Sequence, residues 1–152
     1  LHLTFFGFVL GLFIGLIASV LQTYGGKLLR NLASAYIVFF TNTPSLVTAF
    51  FLFFGLPEFG ILLSPYDCIL INLALNAGAF LADVFRGGIA SVRQVELEAA
   101  EVLGFSLIQK VRYVIVPHIS KACYPPISNL YIIFFPLISL FAIINSIIYY
   151  CR

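Results

Sequence analysis

The chain has 152 residues, of which 62% are hydrophobic and 9% charged, with eight Lys and Arg against six Asp and Glu. Soluble domains carry roughly 25% charged residues, so a soluble enzyme is excluded, and with no basic stripe interleaved with aromatics so is a nucleic-acid-binding domain. Several apolar runs reach the ~20 residues that cross ~30 Å of hydrocarbon as a helix, whereas the alternating ~10-residue pattern of a membrane barrel is absent.

Residues 3–22 form the first expected span, apolar apart from Thr4 and Ser19. No charged region precedes it and no small-residue cleavage site follows, so it reads as a retained helix and not as a signal peptide. The chain starts at Leu1 and contains no methionine, and it is expected to be a fragment. Gly7, Gly11 and Gly15 recur every four residues on one helix face, which suits close approach of a neighbouring helix; a glycine-lined ligand path is the other reading. Residues 22–31 form a short polar connection with Lys27, Arg30 and no acid, turning at Gly25-Gly26, and the positive-inside rule makes it cytoplasmic.

The second span, 33–56, is interrupted at Thr41-Asn42-Thr43-Pro44. Proline disfavours helix at the preceding residue, so the span is expected to split near Pro44. An outer loop with Glu58 and Asp67 leads into the third span, 65–84, which carries Asn72 and Asn76 one turn apart. Asparagine in a membrane helix needs a hydrogen-bond partner, so the pair serves either interhelical packing or a substrate path. Asp83 and Arg86 are spaced to pair, and Gly87-Gly88 marks an expected helix stop.

Residues 86–121 form a charged loop, and with Lys27 and Arg30 seven of the eight basic residues fall on the inner side, the last being Arg152. Beyond it, Pro117, Pro125, Pro126 and Pro136 are expected to break the apolar stretch 113–150, leaving one span at 125–144 and a membrane-associated tail. Cys68, Cys123 and Cys151 are odd in number and far apart, so they read as packing thiols, and His2 and His118 have no second ligand at metal spacing. No nucleophile–base set converges, so neither a catalytic nor a metal site is expected.

Within the loop, Val95, Ala99, Val102 and Leu103 share one arc of a short helix flanked by Glu96 and Glu98. Such a helix is too short to stand alone and is expected to dock. Gly104 ends it, and Ser106 with Gln109 has the form of a capping box that opens a second helix running toward Pro117. The bland reading is a solvated amphipathic helix.

These residues carry a resemblance. Glu98-Ala99-Ala100, three residues, Gly104, nine residues, Val114, one residue, Val116-Pro117 resembles the EAA loop of bacterial ATP-binding cassette importer permeases. Thr43-Pro44-Ser45-Leu46-Val47, Phe85-Arg86-Gly87-Gly88-Ile89, Pro126 with Asn129, and Ser139-Leu140 narrow the likeness to permeases for polar amino acids, over most of the chain. The resemblance implies an all-α polytopic membrane protein: one permease domain, 1–152, with a MetI-like core of about four spans and a cytoplasmic coupling loop. It implies a multi-pass protein of the bacterial inner membrane that is not itself an enzyme. Its partners would be ATPase subunits that bind the ATP, a second permease subunit, an extracytoplasmic amino-acid-binding protein and the amino acid substrate. Glu98, Ala99, Ala100, Gly104 and Pro117 would couple to the ATPase, and Asn72, Asn76 and Asn129 are the candidates for the substrate path. The chain departs from the family at Thr41-Asn42, usually Arg-Gly, at Val95-Glu96, usually Gly-Gln, and at Pro136-Leu137-Ile138-Ser139-Leu140, usually Lys-Asp-Thr-Ser-Leu. Those departures support the alternative reading, a truncated, inactive permease remnant with a structural role.

Overall fold

The computed structural model describes residues 2–150, and their side chains except those of Leu107 and residues 135–150. Every regular element among them is helical. Helix α1, His2–Tyr24, turns Phe5, Phe6, Phe13 and Ile17 outward and buries Thr4, Gly7, Gly11, Gly15 and Ser19. Its buried face lies against α5, Pro65–Ala90. In a bilayer apolar side chains gain little by leaving lipid for protein, so helices associate through close packing, and absent side chains permit it. A Cβ on Gly11 would stand 2.9 Å from the Ala77 Cβ, and one on Gly15 would stand 2.8 Å from the Gly78 carbonyl oxygen. Gly7 meets Leu73 in the same way.

That register has a topological consequence. Positions 7, 11 and 15 meet 73, 77 and 78 in ascending order, so α1 and α5 run parallel. The intervening residues must then carry the chain back to the end at which α1 begins. They do so as a bent pair: α2, Lys27–Asn42, and the helical segment Ser45–Glu58 meet at 102°. The bend sits at Thr43, whose backbone is extended (φ −98°, ψ 125°) ahead of Pro44, the conformation that proline imposes on its predecessor. The outer arm comprises α3, Ser45–Phe50, a π turn, Phe51–Gly55, and a last turn α4, Leu56–Glu58.

Helix α5 starts where its sequence says it should. Ser64 accepts a hydrogen bond from the Asp67 amide (3.1 Å), Pro65 occupies the first turn and Asp67 faces the positive end of the helix dipole. Its end differs from the expected stop at Gly87-Gly88, because the helix continues to Ala90. Gly88 is there for contact: Ile119 and Cys123 occupy the space a side chain would need. Helix α6, Gln94–Val102, and α7, Leu107–Lys110, follow as a hairpin, and a second π turn, Val111–Ile115, joins α7 to α8, Val116–Tyr150. Helix α8 lies antiparallel to α5, with Cys123 near Gly88 at one end and Phe134 on Phe80 at the other (ring centroids 6.0 Å).

The expectation that prolines break the segment 113–150 is corrected, since α8 is continuous from Val116 to Tyr150. Pro125 and Pro126 lie on its exposed side, where their rings meet no neighbouring helix and two missing backbone bonds are tolerated. The later part of the expected span 125–144, including Pro136 to Leu140, lies outside the described side chains, and Cys151 and Arg152 lie outside the described residues. Among the described residues, α1 and α5 are long and apolar enough to cross a membrane, and the bent pair supplies a third crossing if it counts as one span. Polar side chains along these helices bond back to their own turns, as Thr23 does to the Ser19 carbonyl (2.8 Å) and Thr41 to that of Ile37 (2.7 Å).

The seam makes a graded prediction. Gly15→Ala and Gly11→Ala push a Cβ into backbone or a packed Cβ, and each is expected to cost about 1–3 kcal/mol of stability. Gly87→Ala, with nothing within 4 Å, is expected to be neutral or stabilising by up to about 1 kcal/mol. Reversible unfolding in mixed detergent measures all three, and equal effects at the three positions would contradict the seam.

Candidate functional site

Two places in the fold concentrate polar side chains. The first is the hairpin of α6 and α7, at the end of the bundle where α5 stops and α2 starts. Because α1 and α5 are parallel, this end also carries Lys27 and Arg30. Helix α6 closes on a Schellman motif: the Phe105 amide donates to the Ala100 carbonyl (3.0 Å) and the Gly104 amide to that of Glu101 (2.9 Å). Gly104 takes the left-handed conformation this needs, φ +72°. Ser106 then opens α7 with a reciprocal capping box, its amide donating to Gln109 Oε1 (2.8 Å) and its hydroxyl accepting from the Gln109 amide (3.4 Å).

The hairpin leaves a particular face free. Glu98 and Ala99 are exposed, and so are Val95, Val102 and Leu103, at 72%, 89% and 71% of their full surface. Of the apolar arc expected from the sequence, Ala99 and Leu103 border the groove toward α8, while Val95 and Val102 point away from it and have no place in that groove. Ala100 turns the other way and is buried at 3% exposure. It stands at the helix position that a Schellman closure folds beneath the next segment, so of the two alanines only Ala99 is open to a partner. Pro117 and Val114 lie on the inner side of the hairpin, in a groove of ≈ 390 Å³ shared with Ala99, Ala100, His118 and Lys121.

An ion pair to α7 and a histidine–carboxylate contact to α8 pin α6 to the elements that follow it. Lys110 Nζ lies 2.7 Å from Glu101 Oε1, and His118 Nδ1 lies 3.3 Å from Glu96 Oε2. The hydrogen bond from Lys110, reinforced by its charge, holds the Glu101 carboxyl below the usual glutamate range. The sequence offered no signal for the His118–Glu96 contact, which spans two elements. The Glu101–Lys110 pair straddles the glycine turn, and the hairpin expected there was enough to suggest it.

The second place lies inside the bundle. Asn72 and Asn76, exposed at 2% and 1%, meet Thr48 of the outer arm. The Thr48 hydroxyl bonds Asn72 Oδ1 (2.5 Å), while Asn76 Nδ2 reaches Thr48 Oγ1 (3.1 Å) and Asn72 Oδ1 (3.0 Å). One helical turn of α5 also grips the inner arm, because Tyr36 Oη donates to the Leu75 carbonyl (2.6 Å). Thr48 and Tyr36 had no distinguishing spacing in the sequence. Asn129 is not part of this cluster, being exposed on α8. Cys68 and Cys123 are buried, each with its thiol toward a backbone carbonyl, of Leu52 and Val84 (both 3.6 Å), and no metal-binding group occurs among the described residues.

Comparison with known proteins decides the family. Residues 7–149 match the family model described as the binding-protein-dependent transport system inner membrane component. The chain belongs to that family. This permease is 34% identical over 147 residues to the glutamine transport system permease protein GlnP of Escherichia coli K12, covering 95% of the chain and 67% of the relative. It is 37% identical over 129 residues to the probable amino-acid ABC transporter permease YckA of Bacillus subtilis, covering 57% of that protein. Among solved structures it is similar to a crystal structure of an amino acid ABC transporter with histidines, at TM-score 0.85 and 30% identity, over 95% of the permease and 67% of that chain. The permease thus spans between about half and two thirds of the length of such relatives.

Two outcomes follow from the geometry. Asn72→Ala strips a buried acceptor from both Thr48 and Asn76 and is expected to cost about 1–2 kcal/mol, whereas Asn129→Ala is expected to stay within about 0.5 kcal/mol; unfolding in detergent distinguishes them. The Glu101 carboxyl, held low by Lys110 in the folded hairpin, stabilises it above the ordinary glutamate pKa of about 4.3, and this contribution is lost as pH falls through the lowered value. Lys110→Met is expected to return the carboxyl toward the ordinary range, as read by carbon-detected NMR of labelled glutamate.

Proposed function

We propose that this chain is the permease subunit of an ATP-binding cassette importer for polar amino acids, driven by a cytoplasmic ATPase docked on the hairpin 94–110. The observation that carries the reading is the exposed outer face of α6, with Val95, Glu98 and Val102 outward and Ala99 open at its edge, at the same end of the bundle as Lys27 and Arg30. A nine-residue helix with its apolar side chains in water is far from stable alone, and a groove on another protein gives that face somewhere to go. The end rich in basic residues is cytoplasmic by the positive-inside rule, the side on which ATP is available.

Domain 1–152 then crosses the membrane with α1, the bent pair, α5 and α8, and residues 86–121 form the coupling loop. A second permease subunit, homologous or identical, and an extracytoplasmic binding protein complete the importer, as the relatives' names suggest for an amino acid cargo. Glu98 places a charge at the ATPase surface, Ala99 permits close approach, and Gly104 sets the angle between α6 and α7. Motion of the ATPase is delivered to α8 through the hairpin. No covalent chemistry is assigned to this chain, because ATP is bound and hydrolysed by the partner.

For the cargo, Asn72 and Asn76 offer amide groups to a zwitterion, and Thr48 covers them. Access to those groups requires the outer arm to move off α5, which the bend at Thr43-Pro44 accommodates. Asn129 belongs to a different surface and contributes only if that surface lines the same path.

Glu98→Lys reverses the charge at the docking face, and Gly104→Val places a branched side chain at φ +72°, a strain of about 1–2 kcal/mol. Each is expected to weaken co-purification with the ATPase by at least about tenfold and to abolish substrate-stimulated ATP turnover, with membrane insertion retained. Undiminished co-purification in both variants would overturn the docking assignment.

A further inference from the structure

Helix α6 is held in place by remarkably little apolar packing for an element asked to transmit force: it has nine residues and buries one, Ala100. Its attachment is polar. Glu96 in its first turn reaches His118, and Glu101 in its last turn reaches Lys110. The two anchoring side chains lie on one rod, since the backbone is right-handed helical at Lys110 (φ −58°, ψ −47°) and again at Val116 (φ −61°, ψ −47°) on either side of the π turn. Lys110 precedes that turn and His118 follows it. A push on α6 delivered through Glu101 alone must pass the widened turn, where the Val116 amide donates to the Val111 carbonyl instead of to that of Arg112, its partner in an α ladder. The Glu96–His118 contact bypasses it.

We propose that His118 is a positioning residue of the coupling hairpin, tying α6 directly to α8, and that protonation of His118 tightens the tie. The proposal rests on the docking reading above. Histidine changes charge between about pH 5 and 8, whereas an ordinary Lys–Glu pair keeps both charges over that range. Protonated, His118 forms an ion pair with the Glu96 carboxylate; neutral, it leaves a polar contact. The tie is therefore strongest at the acid end and weakens as pH rises through the histidine titration. The charged groups facing His118 are Glu96 from α6 and Lys121, on α8 and lining the same groove. The π turn contributes the ring of Tyr113. Helix α5 presents Gly88 to Ile119 and Cys123 here, and its Asp83 and Arg86 are paired with each other at 3.1 Å. Glu96 also stands at a position where the family resemblance leads one to expect glutamine, which carries no charge to respond.

The test uses the assembled importer in liposomes, with substrate molecules moved per ATP hydrolysed measured at cytoplasmic-side pH values from about 5.5 to 8. The expected result is a ratio that falls about two- to fivefold with rising pH, the range open to a solvent-exposed pair. His118→Gln and Glu96→Gln are each expected to flatten the profile, the double variant to match either single one, and His118→Lys to hold the acid-end ratio at every pH. A wild-type profile in His118→Gln, or additive effects in the double variant, overturns the proposal. Thermal melts of each purified variant exclude misfolding as the cause of a flat profile. If Glu98→Lys and Gly104→Val both co-purify undiminished with the ATPase, the docking reading itself has failed; if they do not and His118→Gln keeps the wild-type profile, only the tie is wrong.

Discussion

The rest of the structure depends on the contact of α1 with α5. It is a close contact, made possible because Gly7, Gly11 and Gly15 leave room for Leu73, Ala77 and the Gly78 backbone, and Gly78 leaves room for Ile14. In a bilayer, where burying another leucine gains little, such closeness is what selects one pairing over others. The ascending register makes the two helices parallel, and parallel helices need a return path. The bent pair provides it, and the side on which each loop emerges follows. The basic residues Lys27 and Arg30 and the α6–α7 hairpin end up together because of where three glycines sit on α1.

Proline shapes the remaining elements in two different ways. At Pro44 the chain has no helical ladder to preserve, and it bends by 102°. At Pro57 and Pro117 a helix continues, and in both cases a π turn ends two residues earlier, at Gly55 and Ile115. A proline ring collides with the carbonyl four residues back and offers it no donor; widening the preceding turn relieves that collision without ending the helix. π turns are frequent at functional sites, and here one lies in the outer arm, where the Leu52 carbonyl faces the Cys68 thiol, while the other lies between the hairpin and α8. The two arms of the bent pair are both fastened to one turn of α5, by Tyr36 to the Leu75 carbonyl and by Thr48 to Asn72 and Asn76.

The hairpin divides its labour among similar residues. Of the three glutamates on α6, Glu96 and Glu101 face inward to partners and Glu98 faces out. Of its two adjacent alanines, Ala100 is closed under Phe105 and Ala99 is open. This partition gives a short helix a fixed inner side and a free outer side, the arrangement that a docking element between two proteins requires.

Local chemistry was legible in the sequence wherever it acts within a few residues. The apolar runs, the Pro65 start of α5, the split near Pro44, the left-handed Gly104 and the Ser106–Gln109 box all depend on near neighbours, and the spacing around Glu98 was enough to point to the family. Tertiary structure decided what depends on distant ones. Whether Gly88 stops a helix or admits Cys123, whether prolines 125 and 126 break α8 or lie on its open side, and which alanine is buried are settled by the element packed opposite. Thr48 and His118 gained their roles in the same way, because a hydrogen bond or an ion pair needs two partners in space, and nothing in their own surroundings along the chain names the second one.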